Sequence, residues 1–245
     1  MDDVELVVFD MAGTTVRDAG QVTDAFTAAL SEHGIEVTPA QLLKVRGSSK
    51  REAVRGFIPE EDLAKTVYNS FREHLARLYR TKGVEPIEGA EESFRRLRQR
   101  GVRVALNTGF DRDITGLLLS ALKWDEGVVD AIVCGDDVLR GRPAPDLILR
   151  AMAETGAAGA RRVVNVGDTV LDLQAGHNAG VRWNVGVLTG AHERKLLEQA
   201  PHTHLLESVA ALPSLLAVIV GERLPGPVSR LGRRAAGSSS ESRRS

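Results

Sequence analysis

The sequence predicts an α/β protein: a doubly wound parallel sheet interrupted by a block of helices. Three observations lead there. From about Leu97 onward, short β-branched runs alternate with amphipathic stretches, which is how a parallel sheet covered by helices on both faces reads. Between Val16 and about Val84 no strand pattern occurs, and apolar residues recur at helical spacing. The first strand pattern, Val4–Phe9, precedes that helical block. The helices are therefore an insertion into the sheet's connectivity.

The remaining strand runs are Val102–Asn107, Ala131–Cys134, Val163–Val166 and Trp183–Val187, separated by helical patterns such as Asp113–Leu122 and Pro145–Thr155. Inside the insertion, Val22, Phe26 and Leu30 share one helix face, Ala53 and Phe57 another, and Leu63, Val67, Phe71, Leu75 and Leu78 a third. Gly34 suits a helix C-terminus, where a left-handed residue is wanted. Thr38-Pro39 suits an N-terminus, with a capping hydroxyl and a first-turn proline. The apolar run Leu212–Val220 reads as a short helix or strand on the core, well below the roughly 20 residues that cross a bilayer. The expected division is a catalytic core of residues 1–16 and 86–221, a helical cap of 17–85 and a disordered Arg- and Ser-rich tail of 222–245. Hinges are expected at Arg17–Gln21 and Lys82–Glu88.

With 245 residues and 42% hydrophobic content, the chain can bury one sizeable core and a smaller second one. Its 32 basic and 33 acidic side chains do not suit a dedicated nucleic-acid binder. Cys134 is the only cysteine, and the N-terminus shows no basic and apolar signal segment. The expectation is a cytoplasmic protein without nucleic-acid or membrane partners.

Strand ends carry the informative residues. The first strand ends in Asp10-Met11-Ala12-Gly13-Thr14-Thr15, the second in Asn107-Thr108-Gly109. Arg140-Gly141-Arg142-Pro143 precedes a helix, and Gly167-Asp168 is followed four residues later by Asp172 on a helix's first turn. Ligands of such sheets bind outside the carboxyl ends of the strands. Thr108 can donate to a phosphoryl oxygen, and Gly109 lets backbone N–H groups approach it. Carboxylates spaced as Asp168 and Asp172 suit Mg²⁺, which takes hard oxygen ligands. The plainer reading of Asp172 is a helix N-terminal acid facing the dipole.

In order and context these motifs resemble the haloacid dehalogenase superfamily, and Asp-x-Ala-Gly-Thr-Thr resembles its phosphonatase branch (phosphonoacetaldehyde hydrolase and relatives), which cleaves a carbon–phosphorus bond. The resemblance implies a Rossmannoid core with strand order 5-4-1-2-3 and a helical C1 cap. It implies that Asp10 attacks phosphorus to give an aspartyl-phosphate, and that the usual general-acid aspartate is replaced by Ala12. Arg142, with Arg140 as fallback, becomes the cation that keeps Asp10 ionised. Mg²⁺ would be held by Asp10, the Met11 carbonyl and Asp168, with Asp172 direct or through water. Ala12, Gly13, Arg46 and Gly109 would contact substrate. True dehalogenases need no metal, so the Gly-Asp-x-x-x-Asp pair points to phosphorus.

The cap segment Arg46-Gly47-Ser48-Ser49-Lys50 resembles the phosphonatase stretch that carries a Schiff-base lysine, with Lys50 at the matching place. An imine there withdraws electrons from a β-carbon–phosphorus bond. A carbon leaving group needs such a sink rather than a proton on oxygen, which agrees with Ala12. Arg46 and Ala53 stand where that branch has methionine and histidine. Arg46 would lower the Lys50 pKa or clasp a substrate carboxylate or phosphate. Three readings follow: a phosphonatase-like hydrolase, a phosphomonoester phosphatase lacking the usual acid, and a catalytically weak phospho-ligand binder. Each takes a small phosphorylated or phosphonate metabolite, and the resemblance is compatible with a cap-to-cap homodimer. His177, Trp124 and Trp183 read as surface or packing residues.

Overall fold

Among the described residues, six strands form one wholly parallel sheet in the order β3-β2-β1-β4-β5-β6. They are β1 Leu6–Asp10, β2 Arg103–Asn107, β3 Ala131–Val133, β4 Val163–Gly167, β5 Trp183–Val187 and β6 His204–Leu206. The computed structural model describes residues 4–125 and 127–220; the expected tail at 222–245 lies outside them. The expected order is present, and β6 extends it beyond β5, pairing Val185 with His204. That strand is three residues long and only half-buried, too short to leave an alternating pattern in the sequence.

The helices are α1 Gln21–Glu32, α2 Pro39–Lys44, α3 Lys50–Phe57, α4 Glu61–Lys82, α5 Ala90–Gln99, α6 Arg112–Leu122, α7 Asp146–Thr155, α8 Val170–Ala179, α9 Arg194–Leu197 and α10 Leu212–Val220. Every residue of β1 is buried, and its side chains alternate between two cores. Val7 and Phe9 face α5, α6 and α10, whereas Leu6 and Val8 face α7 and α8. Phe94 of α5 meets Phe9 and Trp124 edge-on, each at 5.3 Å between ring centroids. So α5 belongs to the sheet's own layer.

The preceding helices pack on one another: α1 and α3 lie against α4, with Phe26 and Phe71 edge-on at 5.7 Å. α1 ends in a Schellman turn, where Gly34 (φ 71°) lets Ile35 N–H reach the Leu30 carbonyl at 3.0 Å. α2 opens with a Thr38–Gln41 capping box and Pro39 in its first turn. The two strands of chain joining this block to the sheet run side by side: Val16 bridges Pro86, Arg17 N–H reaches Glu85 O at 2.9 Å and Ile87 N–H reaches Thr15 O at 2.8 Å. Both connections thus leave the sheet at one place, next to the end of β1. Among the described residues no helix is long and apolar enough to cross a membrane.

Candidate active site

The carboxyl ends of β1 and β4 and the first turn of α8 bring Asp10, Asp168 and Asp172 together, one oxygen of each within 4.8 Å of the others. All three are buried. Asp168 is oriented from several sides: Thr14 Oγ1 donates to Oδ1 at 2.9 Å and Ala191 N–H to Oδ2 at 2.6 Å. Gly13 (φ 95°) and Gly190 press against it so closely that a Cβ would stand 2.6 Å and 2.0 Å from Oδ2. Asp172 is the helix N-terminal acid of the plainer reading. Its Oδ2 accepts Thr169 N–H at 3.0 Å in a helix capping box, while Oδ1 faces Arg142 Nε at 2.9 Å.

Arg142, 5% exposed, binds two of these acids. Nη1 lies 2.8 Å from Asp10 Oδ1, and Nη2 donates to the Asn107 side-chain oxygen. Arg140, the alternative in the sequence, is exposed and pairs with Asp146 at 2.8 Å. Thr108 is buried beside them, its N–H on Val133 O at 3.0 Å.

Burial raises the Asp10 carboxyl from 3.8 to about 6, with Arg142 opposing the shift and Asp172 adding to it. Asp168 is raised well above its ordinary value by burial and by the charges of Asp10 and Asp172. Three buried acids thus face a single buried guanidinium. A further cation relieves that excess, and an all-oxygen donor set suits a hard dication. One expected ligand does not fit. The Met11 carbonyl already accepts Thr14, Thr15 and Val16 N–H groups at 3.1, 2.9 and 2.8 Å, closing the turn after β1. The Ala12 carbonyl accepts none among the described residues.

The cap residues sit directly over this floor. Lys50 opens α3, its Nζ donating to Ser48 O at 3.2 Å. It lines a cleft open to solvent, together with Asp10, Ala12, Arg46, Thr108, Gly109, Arg142 and Asp168. Of the other residues the sequence singled out, Gly13 backs Asp168, Asp172 backs Arg142 and Met11 is buried in its turn. The Lys50 ammonium is lowered from 10.5 to about 8, mainly by burial; Arg142 and Arg46 also lower it, and Asp10 and Asp18 raise it. Arg46 is the smallest of these causes. Gly47 (φ 83°) lies so near Thr169 that a Cβ would stand 2.3 Å from its Oγ1. A Cβ on Gly109 would likewise stand only 2.8 Å from Ser48 O. Ala53 is buried in α3.

Sequence reasoning gave no role to Asn107, Thr14 or His192. Asn107 is legible only as a polar residue inside an apolar strand. His192, buried, accepts Val170 N–H on Nδ1 at 3.0 Å and so caps the start of α8; burial lowers its pKa. Nothing in its loop announces that role.

The profile of the haloacid dehalogenase-like hydrolases matches residues 7–185. A phosphonoacetaldehyde hydrolase from Bacillus cereus is 33% identical over 221 residues, covering 82% of this chain and 81% of that protein. A hydrolase from Pseudomonas syringae superposes with a TM-score of 0.79 at 25% identity, over 88% of this chain and 99% of the other. A phosphonoacetaldehyde hydrolase-like protein from Oleispira antarctica gives a TM-score of 0.77 at 25% identity, over 88% and 92%.

Proposed function

The chain belongs to the haloacid dehalogenase-like hydrolases, and we propose that within them it is a Mg²⁺-dependent, phosphonatase-like enzyme that cleaves a carbon–phosphorus bond. The observation that carries this reading is the placement of Lys50. An amine depressed to about 8 shares a cleft with the nucleophilic carboxylate, while Ala12 offers no acid for an alkoxide leaving group.

In this mechanism the phosphoryl group rests against Thr108, Gly109 N–H and Arg142, in line with Asp10. The neutral Lys50 amine adds to the substrate carbonyl, water leaves, and the protonated imine draws electrons from the adjacent carbon. As phosphorus bonds to the Asp10 carboxylate, the carbon–phosphorus electron pair becomes the enamine double bond. Protonation at carbon and hydrolysis of the imine free Lys50. Water then cleaves the aspartyl-phosphate to phosphate. Asp10, Asp168 and the Ala12 carbonyl would hold Mg²⁺, with Asp172 behind them, and the ion would offset charge on the phosphoryl oxygens.

The test is borohydride reduction in the presence of phosphonoacetaldehyde. A covalent adduct on Lys50 and loss of phosphate release in Lys50→Arg are expected, because a guanidinium stays charged and forms no imine. No adduct, together with an active Lys50→Arg variant and faster ester hydrolysis in Ala12→Asp, would reassign the protein as a phosphomonoester phosphatase.

A further inference from the structure

Arg46 is a cation in the cleft that the chemistry above leaves unused. Its Nη1 donates to Ala191 O at 3.2 Å and its Nη2 to Thr23 Oγ1 at 3.3 Å. Both acceptors are neutral, and no carboxylate pairs with it among the described residues. Arg142, by contrast, is matched by two carboxylates. The cap wall of the same cleft is apolar, built from Val22, Phe26, Leu42 and Val45. Asp18 also lines the cleft, but it is exposed, and its Oδ1 is turned to Gly20 and Val22 N–H at 3.0 and 3.4 Å. A half-buried guanidinium with neutral partners and apolar neighbours has N–H donors to spare. Its fork geometry matches a carboxylate, and reduced solvation strengthens the attraction.

We propose that Arg46 binds a carboxylate on the organic half of the substrate, which makes the substrate class a 2-oxo acid with the phosphono group on carbon 3. The proposal rests on the phosphonatase-like reading above. Three anchors share the cleft: Asp10, Thr108 and Arg142 for the phosphoryl group, Lys50 for a carbonyl carbon, and Arg46 for an anion. In a 3-phosphono-2-oxo acid these groups sit on adjacent carbons, so each finds its partner at once. A simple aldehyde offers Arg46 no anion, so its partners remain Ala191 O and Thr23 Oγ1.

The chemistry balances without an added oxidant or reductant. Lys50 Nζ bonds to carbon 2 and water departs. The bond from carbon 3 to phosphorus breaks, its electron pair forming the double bond between carbons 2 and 3 as phosphorus bonds to Asp10. A proton from water then adds to carbon 3. Hydrolysis of the imine releases a 2-oxo acid with a methyl group at that carbon, and hydrolysis of the acyl phosphate releases phosphate.

Calorimetry in Mg²⁺ buffer isolates the Arg46 contact from the imine chemistry. 3-Phosphonopropanoate has both anionic groups but no carbonyl; propylphosphonate lacks the carboxylate. The former is expected to bind the wild type about 10–100-fold more tightly, the range of a charged hydrogen-bonded pair. That ratio should fall near one in Arg46→Met and recover in part in Arg46→Lys, which keeps the charge without the fork. Equal affinities in the wild type, or a ratio unchanged by the substitutions, overturn the proposal; the second result would make Arg46 a latch between cap and Ala191. Phosphate release from 3-phosphonopyruvate and phosphonoacetaldehyde completes the test, with a higher kcat/KM expected for the oxo acid. Cleavage of the aldehyde alone overturns the substrate class and leaves the phosphonatase reading standing. Cleavage of neither overturns both.

Discussion

Asp10 and Lys50 are both pushed by burial toward their neutral forms, and the consequences for the two residues are opposite. Arg142, 2.8 Å away, counters the effect on Asp10 and favours the ionised nucleophile. For a Lys50 that forms an imine, the neutral form is the reactive one. Asp10→Asn should therefore release no phosphate from any substrate while its circular dichroism stays native, since the amide is nearly isosteric but cannot attack phosphorus; measurable turnover would contradict the nucleophile assignment. The pH profile carries a sign that separates the two chemistries. Asp10 and Asp18 raise the Lys50 pKa, Arg142 and Arg46 lower it, and burial brings it to about 8. If an imine forms, kcat/KM should climb roughly tenfold per pH unit between about 6, where Asp10 ionises, and about 8, and level off above it. A lysine that serves only as a cation would show the reverse, with activity falling above about 8.

Individual elements meet across the cap and the sheet with little tolerance. α3 starts at Lys50, and the turn before it packs Gly47 onto Thr169 at the start of α8. Farther out, α4 docks on the first turn of α6: Tyr68 Oη donates to Asp111 Oδ2 at 2.8 Å, and Arg72 Nε lies 3.0 Å from the same oxygen. Asp111 meanwhile caps α6 through Ile114 N–H at 3.0 Å. Gly47→Ala would force a Cβ to within 2.3 Å of Thr169 Oγ1 at a left-handed backbone position. The strain of roughly 1–2 kcal/mol that glycine avoids there falls on the seated cap. We expect kcat/KM to drop tenfold or more while thermal melting moves by only a few degrees. Unchanged kinetics would mean that the seated cap is not the reactive arrangement.

For the molecule as a whole, the insertion leaves and rejoins the sheet through paired connections at Val16 and Pro86. We propose that it moves as a lid about Arg17–Gln21 and Lys82–Glu88, carrying Lys50 to and from Asp10. A cation held by the acid cluster would tie stability to its concentration. A ligand that binds only the folded state stabilises it in proportion to the logarithm of its concentration. Millimolar Mg²⁺ should therefore raise the Tm of the wild type and raise that of Asp168→Asn far less. Activity should vanish with EDTA and return with Mg²⁺. A Tm indifferent to Mg²⁺ in the wild type would count against a metal in this cluster.

Local chemistry is what the sequence could express by itself. The Gly34 turn, the Thr38 cap, the strand-end acids and the helical periodicity of the insertion each depend on neighbours a few residues away, and each was readable for that reason. The parallel sheet followed from the alternation of β-branched runs with amphipathic helices. Other features depend on which distant residues the strand order brings together. Asn107 reaches Arg142 only because the loop before α7 folds over the end of β2. Whether the Met11 or the Ala12 carbonyl is free depends on how the turn after β1 pairs its own N–H groups. His192 caps α8 from a loop on the far side of β5. Burial, the largest influence on Lys50, exists only once the cap lies on the sheet. Spacing along the chain names groups that can do chemistry, while solvent exclusion and long-range pairing set their charge, and only the tertiary structure supplies those.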